Sequence, residues 1–175
     1  MAMMIRIPLD SFMIDDAKRR AEKLGSLDFS ILRGNGNLTG MLGEVALSKF
    51  LGCPIDNTSH YDIPYNGYKL EVKTKLTTVV PNKTYEGSVA ASGSRQTCTH
   101  YVFTRALWPR GGSGYTDVYI MGFIERLKFF EESTFIKSGD VDPTNQFMAS
   151  VDCYNIEYSR LDPILNLFGN SYETI

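Results

Sequence analysis

Four side chains in the first half of the sequence have the types and order that divalent-ion chemistry requires: Glu44, Asp62, Glu71 and Lys73. Asn66-Gly67 is a strong two-residue turn signal, so the runs 61–65 and 68–75 are predicted to pair as a hairpin. Along the second run Leu70, Val72 and Thr74 fall on one face, while Glu71, Lys73 and Lys75 fall on the other. An acid just before the turn and an acid after it can then stand side by side on adjacent strands, within reach of one ion. Carboxylate oxygens suit a hard cation such as Mg²⁺, which keeps several waters and takes only one or two protein carboxylates beside a substrate phosphate. Lys73 shares the side of Glu71 and can steady a water or hydroxide while balancing phosphate charge. An ion held there would acidify that water and stabilise charge developing at phosphorus.

An isolated Glu-x-Lys is usually the solvated face of a strand. Its weight rises with Gly40-Met41-Leu42-Gly43-Glu44, in which a helical glutamate follows two glycines that permit close backbone approach. Glu44 precedes Asp62 by 18 residues, enough for the helix to end and the chain to return as a strand aimed at the same ion. Gly-x-x-Gly-Glu, then Asp62, then Glu71-Val72-Lys73 resembles the PD-(D/E)XK nuclease superfamily, with an order and spacing similar to its small phage and Holliday-junction-resolving members. The resemblance covers residues 40–75. It implies an α/β, restriction-endonuclease-like fold, a mixed central sheet flanked by helices, and Mg²⁺-dependent DNA hydrolysis, with Mn²⁺ able to substitute. Asp62 and Glu71 would be metal ligands, Lys73 the catalytic lysine, and Glu44 a helical acid assisting metal or water. Tyr61 stands where the superfamily often, but variably, has proline. The resemblance also makes DNA the expected partner. Cleavage of both strands of a duplex often uses two sites, which makes a homodimer a reasonable expectation. A catalytically inactive DNA-binding or assembly module on the same fold is the alternative, and a generic α/β interaction protein is the blander one.

The elements that must position these residues can be read coarsely. A helix is predicted over 12–24, ending at Gly25, and a second over 38–51, closed by Gly52 and Pro54. Leu42, Val45, Ala46, Leu47 and Phe50 make its apolar side. Arg33-Gly34-Asn35-Gly36-Asn37 reads as a glycine-rich loop between them, from which Arg33 and Asn37 could approach a DNA backbone. Residues 76–99 are hard to read, with a short strand near 85–90 and a helical turn near Arg95. Arg95 and Gln96 are candidate phosphate or water contacts, and Lys75 a further DNA contact. Strands are predicted over 101–107, 117–123 and within 147–158. Short helices are predicted over 124–130 and from Pro163.

Composition fits one globular domain over 1–175: 43% of residues are hydrophobic and 22% charged. No apolar run reaches the roughly 20 residues of a membrane span. The first ten residues, with Arg6 alone and Pro8 interrupting, do not resemble a secretory signal. Cys53, Cys98 and Cys153 are odd in number and dispersed, as expected for free thiols in cytoplasm, or host cytoplasm if the gene is a phage's. Residues 66–110 carry seven basic and two acidic side chains, whereas 111–175 carry four and ten. That split is expected to mark a nucleic-acid-facing half, against an overall charge of −2. With two histidines, no Gly-x-x-x-x-Gly-Lys-Ser/Thr run and no Gly-x-Ser-x-Gly, other hydrolase chemistries lack their parts.

Overall fold

A computed structural model of the chain describes residues 3–24, 35–56, 60–92 and 96–169. The elements in order are β1 (Ile5–Pro8), α1 (Ser11–Leu24), α2 (Asn35–Leu51), β2 (Ile63–Tyr65), β3 (Tyr68–Thr77), β4 (Glu86–Ala90), β5 (His100–Leu107), β6 (Asp117–Glu125), α3 (Arg126–Glu132), β7 (Thr134–Ile136) and β8 (Cys153–Glu157). Short 3-10 turns, Tyr158–Arg160 and Ile164–Phe168, close the described chain. The predicted C-terminal helix is thus only a 3-10 turn.

The architecture is α/β. A five-stranded sheet has the order β1-β6-β5-β3-β2, in which β3 and β5 run parallel and every other pair is antiparallel. Its hairpin turns at Asn66 (φ 47°) and Gly67 (φ 82°), a pair of positive φ values that fits the twist of the flanking strands. One face, carrying Leu70, Val72, Val102 and Ile120, packs on Leu47 and Leu51 of α2. The opposite face, carrying Tyr101, Phe103, Tyr119 and Met121, packs on Val89, Ile156 and Phe129. These belong to α3 and to a second sheet of order β4-β8-β7. Helices therefore cover one face of the central sheet, and mainly a small antiparallel sheet covers the other. The parallel crossover from β3 to β5 passes through β4 of that second sheet.

Two helix ends fix the first layer. Asp10 caps α1 by accepting from Met13 N–H at 2.8 Å, and its other oxygen takes Lys49 Nζ of α2 at 2.7 Å. Gly52 (φ 68°) ends α2, and Cys53 N–H donates back to Ser48 C=O at 3.2 Å. α2 begins earlier than predicted, at Asn35, so Asn35, Gly36 and Asn37 are helical and not loop. β1 is not expected from the sequence, because Pro8 reads as a breaker. It lies on the sheet edge, where a missing N–H is tolerated.

Candidate active site

The ladder between β2 and β3 stops at Ile63↔Leu70. Asp62 then turns its carboxylate back, and Oδ2 accepts the Val72 N–H at 2.7 Å while its own N–H donates to Leu70 C=O at 2.9 Å. The side chain replaces the ladder carbonyl that a longer β2 would have supplied. Glu71, next along β3, is buried at 7% exposure. Its Oε1 accepts from Lys73 Nζ at 2.7 Å and from Gln96 Nε2 at 2.5 Å. Lys73 is adjacent on the same face because side chains two apart on a strand are neighbours.

Glu44 arrives from α2. Gly43, just before it, lets the helix lie against β3 and β5: a Cβ there would sit 1.9 Å from Thr74 Oγ1 and 2.6 Å from Thr104 Oγ1. Gly40 has open space around its Cβ position, so only one of the two glycines serves close approach. Burial pushes the Glu44 carboxyl up to about 9, with added repulsion from Asp62 and Glu71, against weaker attraction from Arg20 and Lys73. Burial also lifts Asp62 to about 7, helped by Glu71 and opposed by the Val72 N–H and Lys73. Burial first, and mutual repulsion second, thus disfavours the charged forms of Glu44 and Asp62, while Lys73 is ion-paired to Glu71.

No family model matches the sequence, and no curated protein is significantly similar to it. The chemistry of the site therefore stands by itself. Among the described residues no three His, Cys, Asp or Glu side chains converge tightly enough to enclose an ion. Full enclosure is not what Mg²⁺ asks for, since it retains waters and accepts one or two carboxylates. Each of Asp62 and Glu71 has one oxygen outside the bonds just described. Gln96 Oε1, next to Glu71, is buried without a partner among the described residues and could accept from an ordered water. Asp62 and Glu71 offer carboxylate oxygens, the donor type such an ion takes.

Among the secondary candidates, Gln96 joins the site through Glu71. Lys75 points instead into a separate polar cluster with Arg105, Glu86 and Asp142, where burial lowers it to about 8. Asn37 is half-buried at the start of α2 and does not join the acids. Arg33 and Arg95 lie outside the described residues. The basic excess of 66–110 does not form a single face. Lys83 is bonded to the Met121 carbonyl, and Arg105 donates to Tyr158 Oη at 2.9 Å, Glu86 C=O at 2.8 Å and Leu76 C=O at 3.3 Å. Sequence reasoning misses the cations of α1. Arg19, Arg20 and Lys23, with the α1 acids Asp16 and Glu22 beside them, line a cleft of about 810 Å³ together with Glu44, Asp56 and Asp62. The signal is the run Lys18-Arg19-Arg20, hidden when charge is averaged over the first 65 residues.

Proposed function

We propose that this chain is a divalent-metal-dependent deoxyribonuclease of restriction-endonuclease-like architecture, acting at Glu44, Asp62, Glu71 and Lys73. The observation that carries the reading is the Glu71–Lys73 ion pair on β3 beside an Asp62 held on the Val72 N–H, with burial keeping Asp62 and Glu44 above the ordinary carboxylate range. Further support comes from the mixed sheet, the short hairpin presenting the acids and the helix laid beside it.

Asp62 and Glu71, assisted by Glu44, would hold Mg²⁺ or Mn²⁺. A bound ion supplies Lewis-acid stabilisation and an acidified water. The protein's own groups do the rest. Lys73 Nζ, steadied on Glu71, presents its remaining N–H donors to a non-bridging phosphate oxygen and balances charge there. Gln96 fixes the Glu71 carboxylate with its amide N–H and offers Oε1 to a water hydrogen. Val72 N–H holds Asp62 in one orientation, so its free oxygen is aimed before substrate arrives.

Cleavage of duplex, single-stranded and branched DNA with Mg²⁺ or Mn²⁺ tests the reading. Wild type should cut only with metal, and Lys73→Ala and Asp62→Asn should each lose at least about 10²-fold in rate. Equal cutting by either variant would refute the assigned site. Metal and DNA binding without cutting would favour a non-catalytic DNA-binding module.

A further inference from the structure

We infer that the outer face of α1 is a second phosphate-binding wall of the same cleft, with Arg20 at its centre gripping the DNA strand beside the acids. The inference rests on the nuclease reading for its substrate, but the contact it assigns is separate from the cleavage site. Arg20 lines the cleft whose floor includes Glu44 and Asp62, and its charge reaches Glu44. Its side chain is 31% exposed. Among the described residues its only hydrogen bond runs from Nε to Asp16 Oδ2 at 3.1 Å. Among the described residues neither Nη group has a partner, and a guanidinium presents them as a planar fork matched to phosphate oxygens. Arg19, 72% exposed, and Lys23 flank it on the cleft side, one residue before and three after.

The electrostatic layout favours a polyanion that spans the cleft over a small anion held inside it. The lining also carries Asp16 and Glu22 of α1, besides Glu44, Asp56 and Asp62, so a lone phosphate gains from the three cations only while facing repulsion from these five acids. A nucleic acid strand carries several phosphates. It can set one on the α1 wall while its neighbour lies over Lys73 and the cation-seeking acids. Asp16 is the internal competitor, since it pairs with both Arg19 (3.4 Å) and Arg20 (3.1 Å). Removing it should strengthen DNA binding, a sign that general loss of helix stability would not produce.

The test is fluorescence anisotropy of a labelled single strand of about 20 nucleotides across a salt series, with Ca²⁺ in place of Mg²⁺ so that binding is read without cutting. Arg20→Gln, which has similar helix propensity, should weaken binding about fivefold to tenfold at moderate salt. It should also reduce the slope of log affinity against log salt by about one. Arg20→Lys should recover the slope. Asp16→Asn should tighten binding several-fold. Lys128→Gln, which removes an equal charge on α3, should leave the slope alone. An unchanged slope in Arg20→Gln, equal losses in Lys128→Gln, or no binding by folded wild type would each overturn the inference. Loss at Arg20 in a protein that never cuts DNA would leave this wall standing and remove the nuclease reading. Cutting with an Arg20-independent salt slope would do the reverse.

Discussion

At the scale of single residues, burial, with repulsion between neighbouring acids added, disfavours the charged forms of Glu44 and Asp62, and that has a measurable sign. Asp62 is raised from 3.8 to about 7, so between these values the folded protein holds a proton the unfolded chain has released. Its contribution to stability is therefore present at low pH and disappears as pH rises towards 7. Asp62→Asn keeps an oxygen for the Val72 N–H and removes the charge. Its Tm without metal should exceed wild type at pH 8 by roughly 3 °C, equivalent to about 1 kcal/mol. Mg²⁺ should raise the wild-type Tm and leave the variant's unmoved. A variant less stable than wild type throughout pH 5–8 would show that the charged form is not disfavoured as described. Lys75 has the complementary behaviour. Burial lowers it from 10.5 to about 8, so its charge is a cost below pH 8 that fades as pH rises to 10.5. Lys75→Met should stabilise by about 1 kcal/mol at pH 7, after allowance for solvent screening, and by nothing near pH 10.5. Chemical denaturation at the two pH values reads this directly.

At the scale of elements, two glycines decide where strands and helices sit. Gly43→Ala should cost about 2 kcal/mol or more, because the added methyl meets the hydroxyls of buried Thr104 and half-buried Thr74, which bond each other at 2.8 Å. It should also lower cleavage by tilting Glu44 away, an outcome seen by comparing the midpoint of urea unfolding with activity. Gly122 sits at the irregularity where β5 and β6 change register between Phe103 and Thr104. Its φ is 145°, and a Cβ would lie 2.7 Å from Asp162 C=O, so Gly122→Ala should destabilise by about 3 kcal/mol in the same assay. The hairpin is legible because Asn-Gly and strict alternation state both turn and faces in consecutive residues. The bulge is not. Unbroken alternation would carry Phe123 to the same face as Tyr119 and Met121, yet Phe123 packs with Ile120 and Val102 on the helical side. A lone glycine in a strand gives no notice of that reversal. The strand expected over 147–158 is shorter for a related reason: Phe147 N–H bonds the Asn145 side chain and Ala149 N–H the Asp140 carbonyl, which holds 147–149 in a local loop and leaves Cys153–Glu157 as strand.

At the scale of the whole molecule, the α/β class follows from the order of periodic segments, whereas the second sheet does not. β7, at three residues, is too short for alternation to separate it from loop, and although strands are expected near β4 and over β8, nothing in the sequence states that the three pair with one another. Likewise Glu44, Asp62, Glu71 and Lys73 are legible as a set because they fall within 30 residues. Gln96, a candidate in the sequence, joins through Glu71, 25 residues before it, whereas Arg20 belongs to no motif and meets Glu44 only through the packing of α1 beside α2. No helix among the described residues is long and apolar enough to cross a membrane. The border of the central sheet also governs how copies of the chain behave towards each other. Beyond Leu70, β3 is a strand whose outer side lacks a neighbour in its own sheet, and such an edge invites pairing with a foreign strand. Asp62 occupies the first open donor, Val72 N–H, with a side-chain oxygen. The residue assigned to metal binding thus also guards the sheet against self-templating: Asp62→Ala should aggregate on concentration where Asp62→Asn stays dispersed, a contrast that light scattering would reveal.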